Sequence, residues 1–600
     1  VVAFLQFLMV RIIDEFKDGD TTIYAFNYFV DYLLSGAFAI CKGDKDPVYV
    51  YLKDVDNISG DAFVSCFSND NGNTIFGITH MGKVYKLNVK EAKLEQYSEE
   101  VDLSGYIFEK AQDNKYYSSN FKGVCYLNKN FEIEMVLDYN DTNVNVNDMT
   151  FSSPLYVTDK EIILAVTKFE MSTTEISIYN FTKASKNPNV GKKVIDVLSM
   201  SDTPIYADAE AIVKFNSTNS DYFAMIRYSE ISNILEDDIE SQKKTAAVSN
   251  QLIIDIINGD GPDILLDGFD CDEFNSSDYF VDLNKFIASD SSFDTNKYFD
   301  NIWEVSKTKD GALYQIPASF LITGIAAKKS DVGENYKGFT YESYLRFLDE
   351  VCNGTSPIQK SRSEFLNLVI SAGYIDFVKD GKVDFNTEEF KALAEFARDN
   401  FPDENEYEAR IQLGYGNLSE PQFLVINPSS LAFDFGSVNE PFGMYGFPFS
   451  EEKGPVAYIM SSAAISANID EEKQKACWEL VKVMLSDDVQ MTIGKEFPVN
   501  KNAFQSSVQK GIDSSNDYFN SFLKLGYSEQ ELISAGIVYI PDIGGDIYDM
   551  ALNVDSLSRS DTALYPIITE EIAAYFAGQK DIDSVISIIN DRAQTIYDER

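Results

Sequence analysis

Asn258-Gly259-Asp260-Gly261-Pro262-Asp263-Ile264-Leu265-Leu266-Asp267-Gly268 joins an amphipathic helix to a short apolar strand. Ahead of it, Val248, Leu252, Ile253, Ile256 and Ile257 recur at helical spacing, with Asn250, Gln251 and Asp255 on another face. Gly259 and Gly261 predict the helix end, because glycine adopts the left-handed backbone of a C-cap, and Pro262 cannot continue the helix. Ile264-Leu265-Leu266 is a continuous apolar triplet, the pattern of a strand covered on both faces. The chain then leaves at Asp267-Gly268-Phe269-Asp270, and loops beyond the carboxyl ends of strands are where open α/β sheets bind ligands. Gly259-x-Gly261 is not a dinucleotide loop. The order is helix, glycines, strand, which is the reverse of what phosphate binding needs.

Working outward, the apolar runs 194–198, 222–226 and 264–266 alternate with helical patterns over 207–216 and 245–257. Two successive βαβ units with right-handed crossovers predict a parallel sheet with helices on its faces. Asp470 with Glu471 and Glu472 suits the positive end of a helix whose buried stripe is Cys477, Leu480, Val481 and Met484. A closing helix buries Ile582, Val585, Ile586, Ile589 and Ala593. Trp303 and Trp478 fall on amphipathic helices, where core packing is the expectation.

Residues 1 to about 190 differ. Short β-type runs are separated by Asn, Asp and Gly, and 82–88, 123–128 and 175–180 look like one recurring strand, starting 41 and then 52 residues apart. Val48-Tyr49-Val50-Tyr51-Leu52 belongs to an earlier repeat on this reading. A period of about 40–50 residues is that of β-propeller blades, and three or four blades are few for a closed ring of about 4–8. Val1–Ile13 is apolar but interrupted by Gln6 and Arg11, with no cleavage site, so the expected signal and lipid-anchor cysteine are placed upstream of Val1.

From about Val194 to Arg600 the chain resembles the family 1 extracellular solute-binding proteins of bacterial ABC importers, in their carbohydrate-binding branch. The resemblance rests on the strand–helix–strand run above, the glycine turn, Asp282-Leu283-Asn284-Lys285-Phe286 and Gly311-Ala312-Leu313-Tyr314-Gln315-Ile316-Pro317. It continues through Tyr445-Gly446-Phe447-Pro448, Ala476–Val481, Phe497-Pro498-Val499-Asn500-Lys501 and Ile572–Lys580. It implies a multidomain chain: an N-terminal all-β propeller-like region over 1–193, then a two-lobed α/β domain of the type II periplasmic-binding-protein kind over 194–600, hinged near 317–320. It also implies a cell-surface lipoprotein receptor that captures a sugar or oligosaccharide and hands it to ABC importer membrane subunits, with no catalysis and no cofactor.

Composition bears on partners. Fifty Lys and Arg stand against 96 Asp and Glu, a formal charge of −46, which repels phosphate backbones and anionic lipid, so nucleic acid is not an expected partner. The charges are dispersed and 44% of residues are hydrophobic, as in globular chains. No run reaches the roughly 18 apolar residues of a membrane span; attachment through a lipid anchor is what the resemblance implies. Cys41, Cys66, Cys125, Cys271, Cys352 and Cys477 form no metal spacing, and any disulfide among them cannot be paired from sequence. His80, the single histidine, reads as a turn or blade residue.

A sugar site needs aromatic faces against C–H surfaces and carboxylates or amides for hydroxyls. The expected residues are Asp267, Phe269 and Asp270 in the loop after the short strand, and Tyr228 at the end of the preceding one. Phe320 is expected at the cleft near the hinge, with Tyr445 and Phe447 closing from the other side. Two other functions stay open: a glycan-binding adhesin acting through residues 1–190, and a glycosidase built on two of the many carboxylates.

Overall fold

The computed structural model describes residues 11–30, 33–56, 61–69, 74–98, 101, 103–169, 174–200, 204–228, 239–268, 274–333, 336–375, 377–379, 382–411, 421–431, 435, 441–559 and 564–599. The chain forms two compact units, Val1–Val190 and Gly191–Arg600.

In the first unit the described strands make four small antiparallel sheets of sequential neighbours. The first sheet holds Arg11–Asp18, Thr21–Val30, Leu33–Lys42 and Val48–Tyr51. The second holds Phe63–Asn69, Thr74–Thr79, Val84–Asn88 and Lys93–Gln96. The third holds Glu109–Lys110, Tyr116–Ser119, Gly123–Leu127 and Ile133–Asp138, and the fourth Ser152–Val157, Glu161–Phe169 and Thr174–Thr182. The three recurring segments are therefore the third strand of the second, third and fourth sheets. Val48–Tyr51 is the last strand of the first sheet, so its counterpart to the repeat is Leu33–Lys42.

Alternation along each strand gives the sheets two apolar faces. Phe16, Ile23 and Phe38 of the first pack on Phe63, Ile75 and Tyr85 of the second. The second turns Phe67, Phe76 and Ile78 toward Leu127 and Phe131 of the third. Phe63 fixes the first contact: its backbone exchanges hydrogen bonds with the Asn27 amide at 2.8 and 3.0 Å. A Cβ on Gly36 or Gly77 would come within 2.7 or 2.5 Å of its ring, so both positions need glycine. His80 sits in the turn after Thr74–Thr79, its N–H donating to the Ala62 carbonyl.

The second unit is built on a sheet in the order Tyr222–Tyr228, Lys193–Ser199, Ile264–Leu266, Val456–Ile465, Ile316–Lys328, Gln422–Ile426. The first three strands are parallel, as the two βαβ units predict. Ile264–Leu266 then pairs antiparallel with Val456–Ile465, which pairs antiparallel with Ile316–Lys328. One face carries a continuous core shared by the helices Tyr206–Thr218, Glu471–Met484, Lys501–Lys524 and Gly544–Leu552. The opposite face carries two separate cores. Leu198, Leu252, Ile256, Leu265 and Phe280 pack at the parallel end. Ile325, Phe365, Tyr445, Phe447, Val585 and Ile589 pack at the other.

The opening stretch folds largely as read. The helix Ile239–Asn258 ends at Gly259, whose φ is 83°, and Leu252 and Ile256 are buried while Ile257 is exposed. Gly261 serves a different need from a left-handed cap: a Cβ there would lie 2.7 Å from the Ile256 Cα. Asp263 pins the strand start, accepting from the Asp196 N–H at 2.7 Å and pairing with Lys473 at 2.5 Å. Trp303 and Trp478 are core residues, their indole N–H groups donating to the Pro317 carbonyl and the Asp290 carboxylate. Cys41, Cys66, Cys125, Cys352 and Cys477 are free thiols, and Cys271 lies outside the described residues. Among the described residues no acidic, His or Cys group has the arrangement to hold a metal, and no helix is long and apolar enough to cross a membrane.

Candidate functional site

The carboxyl ends of the three parallel strands converge where Ile316–Lys328 and Val456–Ile465 cross from one end of the sheet to the other. The pairing of these two strands slips at Pro317/Ser319 and again at Ser319/Phe320, and Phe497–Pro498 joins the edge at that point. Bulges bend a strand and re-aim its side chains. Beyond them, Leu321 faces Tyr458 across the ladder, and Tyr458 alternates with the buried Ala457 and Ile459. Leu321, Tyr458 and Met460 thus lie on the face that carries the two separate cores, in the strip between them. Tyr458 is 38% exposed, and Leu321 and Met460 are half-buried. Among the described residues of the strip, Tyr458 is the exposed ring.

Asp267 borders that strip. It follows Ile264–Leu266 with φ at 60°, a left-handed conformation that costs a residue with a Cβ about 1–2 kcal/mol. Its N–H donates to the Ser462 carbonyl at 3.0 Å, and its Oδ2 accepts from the Ser199 hydroxyl at 3.4 Å. Gly268 follows under tight constraint: a Cβ would lie 2.7 Å from Leu265 and 3.1 Å from the Gln315 Oε1. Strain of this kind, held by neighbours, clusters at ligand sites. Tyr228 ends its strand opposite Ser199 and is half-buried against the continuous core, while Tyr206 opens the helix Tyr206–Thr218 and is exposed.

Beneath these, Asp208 in the first turn of that helix is buried and accepts from the Ser461 hydroxyl at 2.6 Å. Burial, and next the charge of Asp267, push the Asp208 carboxyl well above the usual carboxylate range; Ser461 partly offsets this and Glu496 adds to it. Burial likewise raises Glu496. A raised folded-state value favours the protonated form, so this group's contribution to stability is full below the unfolded value near 3.8 and is lost as pH rises through the folded value. Asp208→Asn keeps an acceptor for Ser461 and removes the titration. Its melting temperature is expected to exceed that of the native chain by a few degrees at neutral pH, about 2–4 °C per kcal/mol, and the gap should shrink toward pH 4. A gap independent of pH would show that Asp208 does not titrate in this way.

The other expected site residues fare differently. Phe269 and Asp270 lie outside the described residues. Phe320 does not face the cleft: it is fully buried, stacked on Phe504 at 6.1 Å and meeting Phe299 edge-on at 6.0 Å. Strand alternation explains this, since Phe320 points to the continuous core and Leu321 to the open face. Tyr445 and Phe447 are likewise core residues. Tyr445 lies in Phe442–Tyr445, paired to Ile325–Lys328, and meets Phe339, while burial pushes its phenol up to about 12. Phe447 packs against Tyr374 and Phe423. Tyr458, absent from the expected set, is the exposed ring on the open strip. Its signal was the alternation Tyr458, Met460, Ser462 against Ala457, Ile459, Ser461.

No family model matches the chain, and no curated protein matches it by sequence. Solved structures do align with it. The sugar-binding protein MalE from the phytopathogen Xanthomonas citri is 13% identical and covers 68% of this chain and 98% of its own, with a TM-score of 0.43. A cyclic alpha-maltosyl-1,6-maltose binding protein from Arthrobacter globiformis is 16% identical over 68% of this chain and 100% of its own, at 0.39. A chitin oligosaccharide binding protein is 11% identical over 68% and 98%, at 0.39.

Chemically, the strip offers a phenol ring, the thioether of Met460, hydroxyls and a carboxylate, with further carboxyls behind it. This set accepts hydrogen bonds from hydroxyls and covers apolar C–H faces, and its charge disfavours anionic ligands.

Proposed function

We propose that this chain is an extracellular receptor that captures a neutral polyhydroxylated ligand, a sugar or oligosaccharide, and delivers it to an ABC importer. The observation that carries the reading is the open strip of Leu321, Tyr458 and Met460 beside the strained Asp267, at the carboxyl ends of parallel strands. The resemblance of its sequence motifs to those of family 1 solute-binding proteins supports it. The two cores on that face are the two lobes of the reading, and the bulged crossing at 317–320 is its hinge. Closure follows because the ligand touches both lobes only when they approach, and a ligand shifts an equilibrium by its differential affinity. Surface attachment through a lipid anchor belongs to the same reading.

A glycosidase needs a carboxyl of raised pKa in contact with the glycosidic oxygen. Asp208 has the raised value but is buried under Ser461 on the other side of the sheet, so binding without turnover is the better account. A thermal-shift screen of the full chain against mono-, di- and oligosaccharides, with product analysis of each hit, tests this. A ligand present at 100 times its Kd stabilises by about 2.7 kcal/mol. A selective rise in melting temperature with the sugar recovered intact is the expected result. Cleaved sugar would replace the receptor with an enzyme, and no shift with any sugar would remove carbohydrate from the reading.

A further inference from the structure

Ser461 and Ser462 are neighbours on the crossing strand Val456–Ile465, and each holds one acidic residue. The Ser461 hydroxyl donates to the Asp208 Oδ2 at 2.6 Å, and the Ser462 carbonyl accepts the Asp267 N–H at 3.0 Å. Asp208 is 1% exposed, on the side of the continuous core, whereas Asp267 ends its strand at the border of the open strip. A shift of either residue is therefore passed to the other through two adjacent positions of one strand. Their charges also interact, and with the same sign.

No cation pairs with Asp208 among the described residues. The helix that carries it packs on Glu471–Met484, Asp487–Gln490 and Tyr222–Tyr228. Charged groups of those elements are engaged elsewhere: Lys473 with Asp263, Asp487 with Lys297, Asp488 with Lys214 and Arg227 with Asp196. The charges that reach Asp208 are those of Asp267 and Glu496, both acidic, with Lys495 beside Glu496. A first-turn acid gains from the helix dipole. Full burial without a counter-charge outweighs that gain and favours the neutral carboxyl.

On the receptor reading given above, we propose that Asp208 is a positioning residue through which sugar binding at Asp267 takes up a proton. A sugar hydroxyl replaces a water on the Asp267 carboxylate, bond for bond, so that exchange leaves Asp208 alone. Covering Asp267 also excludes bulk water, which strengthens the repulsion between the two carboxyls. A second charge on Asp208 therefore costs more in the complex than in the empty protein. By reciprocity, the chain with Asp208 protonated holds the sugar more tightly. Ionised, Asp208 repels Asp267 and draws harder on Ser461, beside the carbonyl that fixes the Asp267 backbone. Affinity is then full while pH lies below the Asp208 value of the empty protein, falls as pH rises through it, and levels off above the higher value of the complex.

Each sugar that raises the melting temperature in the screen above is titrated calorimetrically into the full chain from about pH 5 to pH 9, the span in which a strongly raised carboxyl loses its proton. Kd is expected to rise with pH, by up to about tenfold per unit for one linked proton. Heats in two buffers of different ionisation enthalpy should show the matching uptake of a proton from the buffer. Asp208→Asn cannot ionise, so its Kd should be flat in pH and its heats independent of buffer. Glu496→Gln removes a neighbouring charge and should start the rise at lower pH without abolishing it. If Asp208→Asn does not fold, the two-buffer heats of the native chain decide alone. A native Kd flat in pH, the absence of proton uptake, or a slope that survives in Asp208→Asn overturns the proposal and leaves the receptor standing. Failure of every sugar of the panel to bind overturns both.

Discussion

Tyr458→Ala is expected to weaken sugar binding by roughly 10–100-fold, about 1.4–2.7 kcal/mol, while leaving the melting temperature of the empty protein within a degree or two. The asymmetry follows from position. The ring is 38% exposed on an open strip, so its removal leaves no sealed cavity, whereas a bound ligand loses its one described aromatic face. Phe320→Ala is the contrasting case. It empties a site among Phe299, Phe497 and Phe504 and should cost about 3–5 kcal/mol of stability. Calorimetric titration and thermal melts of both variants separate the two roles. If Tyr458→Ala binds with unchanged affinity, the strip between the two cores is not the ligand site.

Asp267→Gly should abolish high-affinity binding and yet leave the stability of the fold within roughly 1 kcal/mol of the native chain. Glycine accepts the left-handed backbone that Asp267 holds at φ 60°, and the charge beside Asp208 disappears. Both changes relieve cost, while the lost acceptor of the buried Ser199 hydroxyl and the added freedom of the unfolded chain offset part of the gain. A carboxylate that accepts ligand hydroxyls contributes about 1.5–3 kcal/mol in such bonds. Asp267→Asn retains tolerance of this backbone and an acceptor oxygen but no charge, so its affinity should fall between the two. Destabilisation of Asp267→Gly together with native affinity would mean that Asp267 is a structural strand end and not a ligand contact.

Much of the second unit was legible because its signals are local. Val194–Leu198, Tyr222–Ile226 and Ile264–Leu266 are continuous apolar runs, and each is a strand of the parallel sheet. Asp470 accepts from the Lys473 N–H as a helix cap, and Val585, Ile586, Ile589 and Ala593 are buried at their helical period. The recurring segments of the first unit were legible as repeats, but the phase of the first was not. Val48–Tyr51 resembles a third strand in composition and is a fourth by pairing.

The proposed site was legible only where a local signal marked it. Asp267 stood out because a strand of three residues ends there. Phe320, Tyr445 and Phe447 misled because an aromatic near a motif says nothing about which side of a sheet it takes. A one-residue change of phase reverses that side, and the bulges at Pro317/Ser319 and Ser319/Phe320 set the phase through contacts with Ser461, Ile459 and Pro498, which are far away in sequence.

The sequence by itself determined the periodicities: which segments become helices or strands, where Gly259 and Asp470 bound them, and the acidity that disfavours anionic partners. Those depend on bonds and contacts within a few residues, so local composition suffices. The tertiary structure alone decided which face each strand presents, which rings are sealed and which are left exposed, and that burial raises Asp208. Each of these depends on surfaces brought together across hundreds of residues, and no short window of sequence contains the partner.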